Sequence, residues 1–168
     1  AKPKSPYGLQ KCIGELSCRL WSDVYGLSTV SLRYFNVYGP KFDPDGAYAL
    51  VIGKFLKQKK EGTPLTITGD GTQTRDFTHV SDIVRANLLA AESRKVGKGE
   101  VINIGAGRNL SVNDLAAMIG GPSVHVPSRL EPHDTRADNA LAKELLDWEP
   151  KITLEDGIMA LKEEMKIT

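Results

Sequence analysis

Tyr7 and Lys11 are the residues whose types and spacing most directly suggest chemistry. Four apart on a helix, they share one face. An ammonium beside a phenol favours the phenolate. A phenolate can act as general base on a substrate hydroxyl. Taken alone the pair is weak, because a Tyr and a Lys four apart also occur as an ordinary surface pair. Arg75 is the second candidate. Its forked donors can grip two phosphate oxygens at once, and it follows the turn signal Gly69-Asp70-Gly71. The plainer alternative is a surface pair with Asp76, worth little. Asn36 is the third, at the carboxyl end of a strand-like run, where open α/β sheets bind ligands. Its plainer alternative is a cap on the turn at Gly39-Pro40.

Helices and strands must place these residues. Leu9, Cys12, Ile13, Leu16, Leu20 and Val24 recur at helical spacing, and Gly26 ends the pattern. Residues 29–37 are β-branched and aromatic, a strand that Gly39-Pro40 stops. A Pro/Asp/Gly loop over 42–46 leads to a helix over 47–60. A short strand at 64–68 and the glycine turn at 69–71 follow. Ser81 is expected to cap a helix to about residue 94. Residues 101–104 form a short, wholly apolar strand of the buried kind. Ser111 and Asp114 resemble a capping box for a helix to residue 119. A strand at 124–126 and helices at 139–146 and 154–166, the last capped by Thr153, complete the chain. Strands alternating with helices give an α/β class. Three or four strands are few for a freestanding doubly wound domain.

The composition narrows the partners. With 22 Lys and Arg against 21 Asp and Glu, the chain offers no general attraction for nucleic acid or an anionic membrane. No apolar run approaches a membrane span. Cys12 and Cys18 lie in no zinc or disulfide pattern, and read as buried reduced thiols of a cytoplasmic protein. His79, His125 and His133 show no metal spacing. His79 is expected to pack or hydrogen-bond locally. The segment from Val101 through Gly105-Ala-Gly107 imitates the start of a dinucleotide fingerprint. The third glycine and the later acid are missing, so it reads as a plain turn.

Several stretches occur in a telling order: Ser5-Pro-Tyr7-Gly-Leu-Gln-Lys11, Leu32-Arg-Tyr-Phe-Asn36-Val-Tyr-Gly-Pro40 and Gly69-Asp-Gly-Thr-Gln-Thr-Arg75-Asp-Phe. Asn103-Ile-Gly-Ala-Gly107 and Leu145-Leu-Asp-Trp-Glu-Pro150 follow them. The succession resembles the extended short-chain dehydrogenase/reductase family in its nucleotide-sugar epimerase branch, over essentially the whole chain. The resemblance implies Tyr7 as catalytic base, and Lys11 as its partner and a ligand of the NAD ribose. It implies Asn36 as a contact to the nucleotide-sugar and Arg75 as a diphosphate ligand. It also implies Arg129 and Glu131 as substrate residues, although they stand two apart where relatives have three. Val51 and Ile52 match a segment that cradles the nucleotide base, with Gly53 where relatives often carry Pro.

The implied architecture is a carboxyl-terminal substrate-binding lobe, 41–168, attached to a remnant of the NAD-binding Rossmann domain, 1–40. The implied reaction is 4-epimerisation of a UDP-sugar such as UDP-glucose or UDP-N-acetylglucosamine. The family's glycine-rich pyrophosphate loop and its catalytic Ser/Thr lie upstream of the Tyr-x-x-x-Lys helix and are not among these residues. The chain alone is therefore expected to bind NAD poorly and to lack activity. The helix at 7–25 is expected to mediate a homodimer, as in relatives. Two other readings remain: a 4,6-dehydratase or decarboxylase on the same scaffold, or a non-catalytic nucleotide-sugar-binding or dimerisation lobe. Decarboxylase-branch sequences tend to read Arg-Ala-Phe where this chain has Arg75-Asp76-Phe77, which favours the epimerases.

Overall fold

The computed structural model describes residues 3, 5–42, 51–128 and 131–167. The elements are α1 (Pro6–Tyr25), β1 (Thr29–Tyr34), β2 (Val37–Tyr38), α2 (Val51–Glu61), β3 (Leu65–Thr68), β4 (Thr74–Asp76) and β5 (Thr78–His79). They continue as α3 (Val80–Glu92), β6 (Lys98–Ile104), β7 (Asn109–Ser111), α4 (Val112–Ile119), β8 (Ser123–Val126), α5 (Ala140–Leu146) and α6 (Leu154–Met165). β1 pairs with β6, β2 with β5 and β3 with β8, all parallel, while β4 and β7 are antiparallel. Parallel pairs joined through helices make this an α/β fold. The expected loop at 43–46 and the start of the expected second helix, 47–50, lie outside the described residues.

Helix α1 begins where Ser5 accepts a 3.0 Å hydrogen bond from the Gly8 N–H, with Pro6 in the first turn. It ends at Gly26, whose φ of 66° closes the turn. Its docking side is Gly8, Cys12, Glu15, Cys18 and Ser22, all half-buried. Small residues let the helix lie close to the sheet. Ser22 donates to the Gly97 carbonyl at 3.0 Å, and Thr29 to the Cys18 carbonyl at 2.8 Å. Gly99 makes the approach possible, since a Cβ there would stand 2.5 Å from the Arg19 Cα. The apolar stripe of Leu9, Ile13, Leu16, Leu20 and Val24 is left exposed. The two thiols expected to be buried are half-buried and free, because α1 buries no residue fully.

Two hydrophobic cores form. One packs Ile102 and Ile104 of β6 with Ile83, Ala86 and Ala90 of α3, Ala142 and Leu146 of α5, and Trp148. Val30 and Leu32 of β1 join it. The other joins Ile52, Phe55 and Leu56 of α2 to Leu65 and Ile67 of β3, Leu115 and Ile119 of α4, and Ile158 and Leu161 of α6. β6, α3 and α5 share a core with β1, because β6 completes the sheet that β1 begins.

Trp148 is fully buried, and its indole N–H donates to the Asp82 carbonyl at 3.0 Å. The buried Asp82 carboxylate accepts the N–H groups of Lys151 and Ile152 at 3.0 Å and pairs with Arg85 at 2.8 Å. One aspartate thus ties α3 to the turn that launches α6. Ser111 and Thr153 cap α4 and α6 as their spacing predicts, accepting from the N–H groups of Asp114 and Asp156 at 3.0 and 3.1 Å.

Helix α3 starts two residues earlier than expected. His79 caps it, and its Nδ1 accepts from the Ser81 N–H at 3.2 Å. The imidazole stands edge-on to Tyr38 with centroids 5.3 Å apart. Burial pushes the His79 pKa below its ordinary 6.5, opposed by the negative charge of Asp82. The unfolded chain therefore binds the proton more readily. The stabilisation is complete above the ordinary value and is lost as pH falls through the lowered one. Thermal unfolding should show a constant midpoint above about pH 7 and a decline on acidification below about pH 6. His79→Asn, whose amide oxygen can still cap, should flatten that decline. An unchanged decline would assign it to other groups.

Candidate functional site

Four of the residues expected to bind substrate, Asn36, Val51, Arg75 and Glu131, line one cavity of about 260 Å³, with Lys54 and Gln73 among its other walls. Asn36 reaches it because the chain bends between β1 and β2. Its φ of 30° lies in the left-handed region that Asn tolerates. Its amide donates to the Asp76 carbonyl at 2.8 Å, and its own carbonyl accepts the Thr78 N–H at 3.3 Å. Asn36 therefore joins two strands rather than capping Gly39-Pro40.

Arg75 lies on β4 with its side chain only 11% exposed. One guanidinium nitrogen donates to the carbonyls of Thr74 and His133 at 2.8 and 2.9 Å, and the other pairs with Glu131 at 2.8 Å. The surface pair with Asp76 does not form. Asp76 points the other way, fully buried, and its carboxylate accepts the N–H groups of Ala106, Gly107 and Ala137 at 2.7, 3.0 and 2.9 Å. Burial pushes this carboxyl above its ordinary range, and the three N–H donors pull it back. Gly105 is required beside it, since a Cβ there would lie 2.3 Å from the Ala137 Cβ.

Val51 lines the cavity, but Ile52 does not: it is 1% exposed in the core beside Phe55 and Leu56. Helical rotation separates the two neighbours. Gly53 has its own reason, because a Cβ there would stand 2.7 Å from the Phe42 ring. Arg129 lies outside the described residues. Lys54 and Gln73 are lining residues that the sequence reading missed. Lys54 is three positions after Val51 on α2, and Gln73 two before Arg75 along an extended chain, so periodicity alone could have found both.

Tyr7 and Lys11 border a separate open groove of about 680 Å³ with Cys12, Glu15 and the carboxyl half of β1, up to Tyr34. The Lys11 ammonium stands 5.3 Å from the centre of the Tyr7 ring, so the expected shared face is present. Glu15 and Arg33 form a two-pronged pair, both contacts at 2.6 Å, that braces α1 against β1. The groove lies along β1, and Asn36 follows directly beyond that strand's end.

The family model described as "NAD dependent epimerase/dehydratase family" matches residues 1–105. The chain belongs to this family. An uncharacterized UDP-glucose epimerase of Bacillus subtilis is 39% identical over 163 residues, which cover 93% of this chain and 50% of that protein. The crystal structure of a UDP-glucose 4-epimerase with UDP-glucose from Thermotoga maritima superposes with a TM-score of 0.91 at 40% identity, covering 98% of this chain and 54% of that one. A UDP-glucuronic acid 4-epimerase from Bacillus cereus, in complex with UDP-glucuronic acid and NAD, gives 0.88 at 39% identity over 98% and 54% of the two chains. The chain thus spans about half the length of the relatives it matches.

The residues of this epimerase/dehydratase family member fit NAD only in part. The Tyr7–Lys11 groove presents a phenol and an ammonium. The Gly105–Gly107 turn, which could have cradled a phosphate with its N–H groups, spends those of Ala106 and Gly107 on Asp76 and that of Gly105 on the Asn139 side chain. Among the described residues, no group of three or more His, Cys, Asp or Glu could hold a metal ion. No helix among them is long and apolar enough to cross a membrane.

Proposed function

We propose that this chain supplies the substrate-holding part, and the Tyr-Lys pair, of an NAD-dependent nucleotide-sugar 4-epimerase acting on a UDP-sugar. The observation that carries the reading is Arg75, nearly buried yet lining a cavity walled by Asn36, Val51 and Lys54. Its guanidinium suits the diphosphate, and Lys54 adds a second positive charge. Tyr7 takes the proton of the sugar hydroxyl, and Lys11 steadies the phenolate and the cofactor ribose. NAD, when bound, would supply the redox chemistry at the sugar's C4. The protein's own work is positioning and proton transfer. The division is a substrate lobe, within 41–168, against a Rossmann part that includes residues 1–40. Two free thiols suit a reducing cytoplasm.

A chimera tests the catalytic roles: this chain joined behind the upstream part of the Thermotoga maritima relative. Tyr7→Phe there should cut epimerase turnover by at least about a thousandfold while UDP-sugar affinity stays within about threefold. Turnover unaffected by Tyr7→Phe would remove Tyr7 from the mechanism.

Homodimerisation through α1 belongs to the same proposal. Leu9, Ile13, Leu16 and Leu20 are each about half exposed or more, and such a stripe favours a self-complementary partner. Light scattering should give twice the chain mass for the unaltered protein. Leu16→Glu with Leu20→Glu should give a folded monomer. A monomer before substitution would refute the interface.

A further inference from the structure

We infer that the end of the second core, where α2, α4 and α6 all stop, is a binding site for a small multivalent oxyanion, separate from the substrate cavity. A cavity of about 310 Å³ opens there, lined by Lys59, Lys60, Lys166 and the turn Gly120-Gly121-Pro122 among others. That is the small end of ligand cavities, which run from about 300 to 1,000 Å³. Among the described residues, no carboxylate lines it. Glu61, next to Lys60 in the chain, pairs with Lys57 instead at 3.9 Å. The Lys59 side chain lies over the glycine turn: its ammonium is 3.8 Å from where a Cβ on Gly120 would stand, and its Cδ 3.5 Å from the same point on Gly121. Lys162 is a fourth lysine at this end, half-buried and donating to the Met118 carbonyl at 3.1 Å. Burial lowers the Lys162 pKa below its ordinary value, and the charge of Lys59 lowers it further. Lys59 is itself half-buried, and among the described residues it has no hydrogen bond or ion pair to its ammonium.

Lysines at helix ends have a plainer use, because the negative end of a helix dipole attracts them. Here that use is largely taken by other groups. The Gly62 and Thr63 N–H groups close α2 on the Lys59 and Gln58 carbonyls at 3.2 and 2.9 Å. The Lys166 and Ile167 N–H groups close α6 at 3.0 and 2.9 Å, and the Gly120 N–H closes α4 at 2.8 Å. Lys162 takes a further carbonyl of α4. The dipoles are also too small. Each helix end carries about half a negative charge, so three ends against four ammoniums leave an excess of about two and a half positive charges. Like charges gathered in a partly desolvated pocket destabilise one another until a counter-charge joins them. An ammonium is a point charge with three rotatable donors, which suits phosphate oxygens. Several of them together favour a ligand with two or more negative charges over one with a single charge. β3 separates this site from the substrate cavity, since Leu65 lines one while Thr66 and Thr68 line the other. The inference therefore stands apart from the reading of Arg75.

The test is calorimetric titration of the full 168-residue chain with inorganic pyrophosphate, at one ionic strength set with chloride, together with melting curves. Arg75→Ala serves as the parent, so that pyrophosphate in the substrate cavity does not obscure the result. Lys59→Gln and Lys98→Gln are added to it singly. Lys98, exposed on β6 in the other core's sheet, controls for loss of one positive charge. The parent should bind pyrophosphate. Lys59→Gln should weaken that binding about tenfold, the loss of one charge-assisted hydrogen bond. Lys98→Gln should weaken it less than about twofold. Without pyrophosphate, Lys59→Gln should melt at the parent's temperature or above it, because Lys162 is relieved of a like charge. A lysine that only offset helix dipoles would lower the midpoint when removed. With saturating pyrophosphate the parent should melt higher. In the chain with Arg75 intact, Lys59→Gln should keep its UDP affinity within about twofold. No pyrophosphate binding by the parent, equal weakening by the two lysine variants, or a lowered midpoint with undiminished pyrophosphate binding would overturn the inference. A UDP affinity that fell as far as the pyrophosphate affinity would merge this site with the substrate cavity and overturn it too.

Discussion

Replacing Arg75 with alanine should weaken UDP binding about thirty- to a hundredfold and leave the fold standing. A hydrogen bond to a charged group contributes about 1.5–3 kcal/mol, and phosphate recognition by a guanidinium draws on such bonds. The fold should survive because the Arg75 contacts are to two carbonyls and to Glu131, which is half exposed and can turn to solvent. The measurement is a pair of titrations, with melting curves to show that both proteins are folded. The affinity of the unaltered protein should fall as salt rises, and most of that dependence should disappear with the arginine. Equal UDP affinity in the two proteins would remove Arg75 from the site.

Asp76→Ala should cost about 3 kcal/mol of stability or more. The side chain satisfies the N–H groups of Ala106, Gly107 and Ala137. A buried donor left without a partner costs about 1–3 kcal/mol, and three are orphaned together, with partial rescue by water entering the gap. Asp76→Asn keeps one carboxamide oxygen but aims an NH2 at a donor, so an intermediate loss is expected. Denaturant titration gives both values. Asp76 also fixes function indirectly. Its carbonyl accepts the Asn36 amide, it adjoins Arg75 on β4, and through Ala137 it anchors the segment that follows Glu131. A loss under about 1 kcal/mol for the alanine variant would mean that the turn at 105–107 has other partners.

Much of this was legible in the sequence where the determinant is local. The helix caps at Ser111 and Thr153 involve only residues three apart, and both form. The apolar run ending at Ile104 had to be a buried strand. The Tyr7–Lys11 face follows from helical pitch. What the sequence did not disclose depends on distant partners. β4, β5 and β7 are two or three residues long, and pairing with remote chain defines them. Asp76 looked like a surface partner for Arg75, yet its N–H donors lie 30, 31 and 61 residues away. Helix α1 was read correctly as amphipathic, but periodicity says that two faces differ and not which one docks. The small side containing Gly8 and Cys12 meets the sheet. His79 took the capping role expected of Ser81 because its ring nitrogen accepts the Ser81 N–H from a half-buried seat beside Tyr38. Lys54 and Gln73 were missed for want of applying the periodicity already in hand.

The central claim is that this chain holds the nucleotide-sugar side of the site and little of the cofactor side. Calorimetric titration of the unaltered chain with UDP and with NAD, at low and at high salt, tests it most directly. The account predicts UDP binding that weakens as salt rises, and no measurable heat with NAD. Tight NAD binding without UDP binding would contradict it.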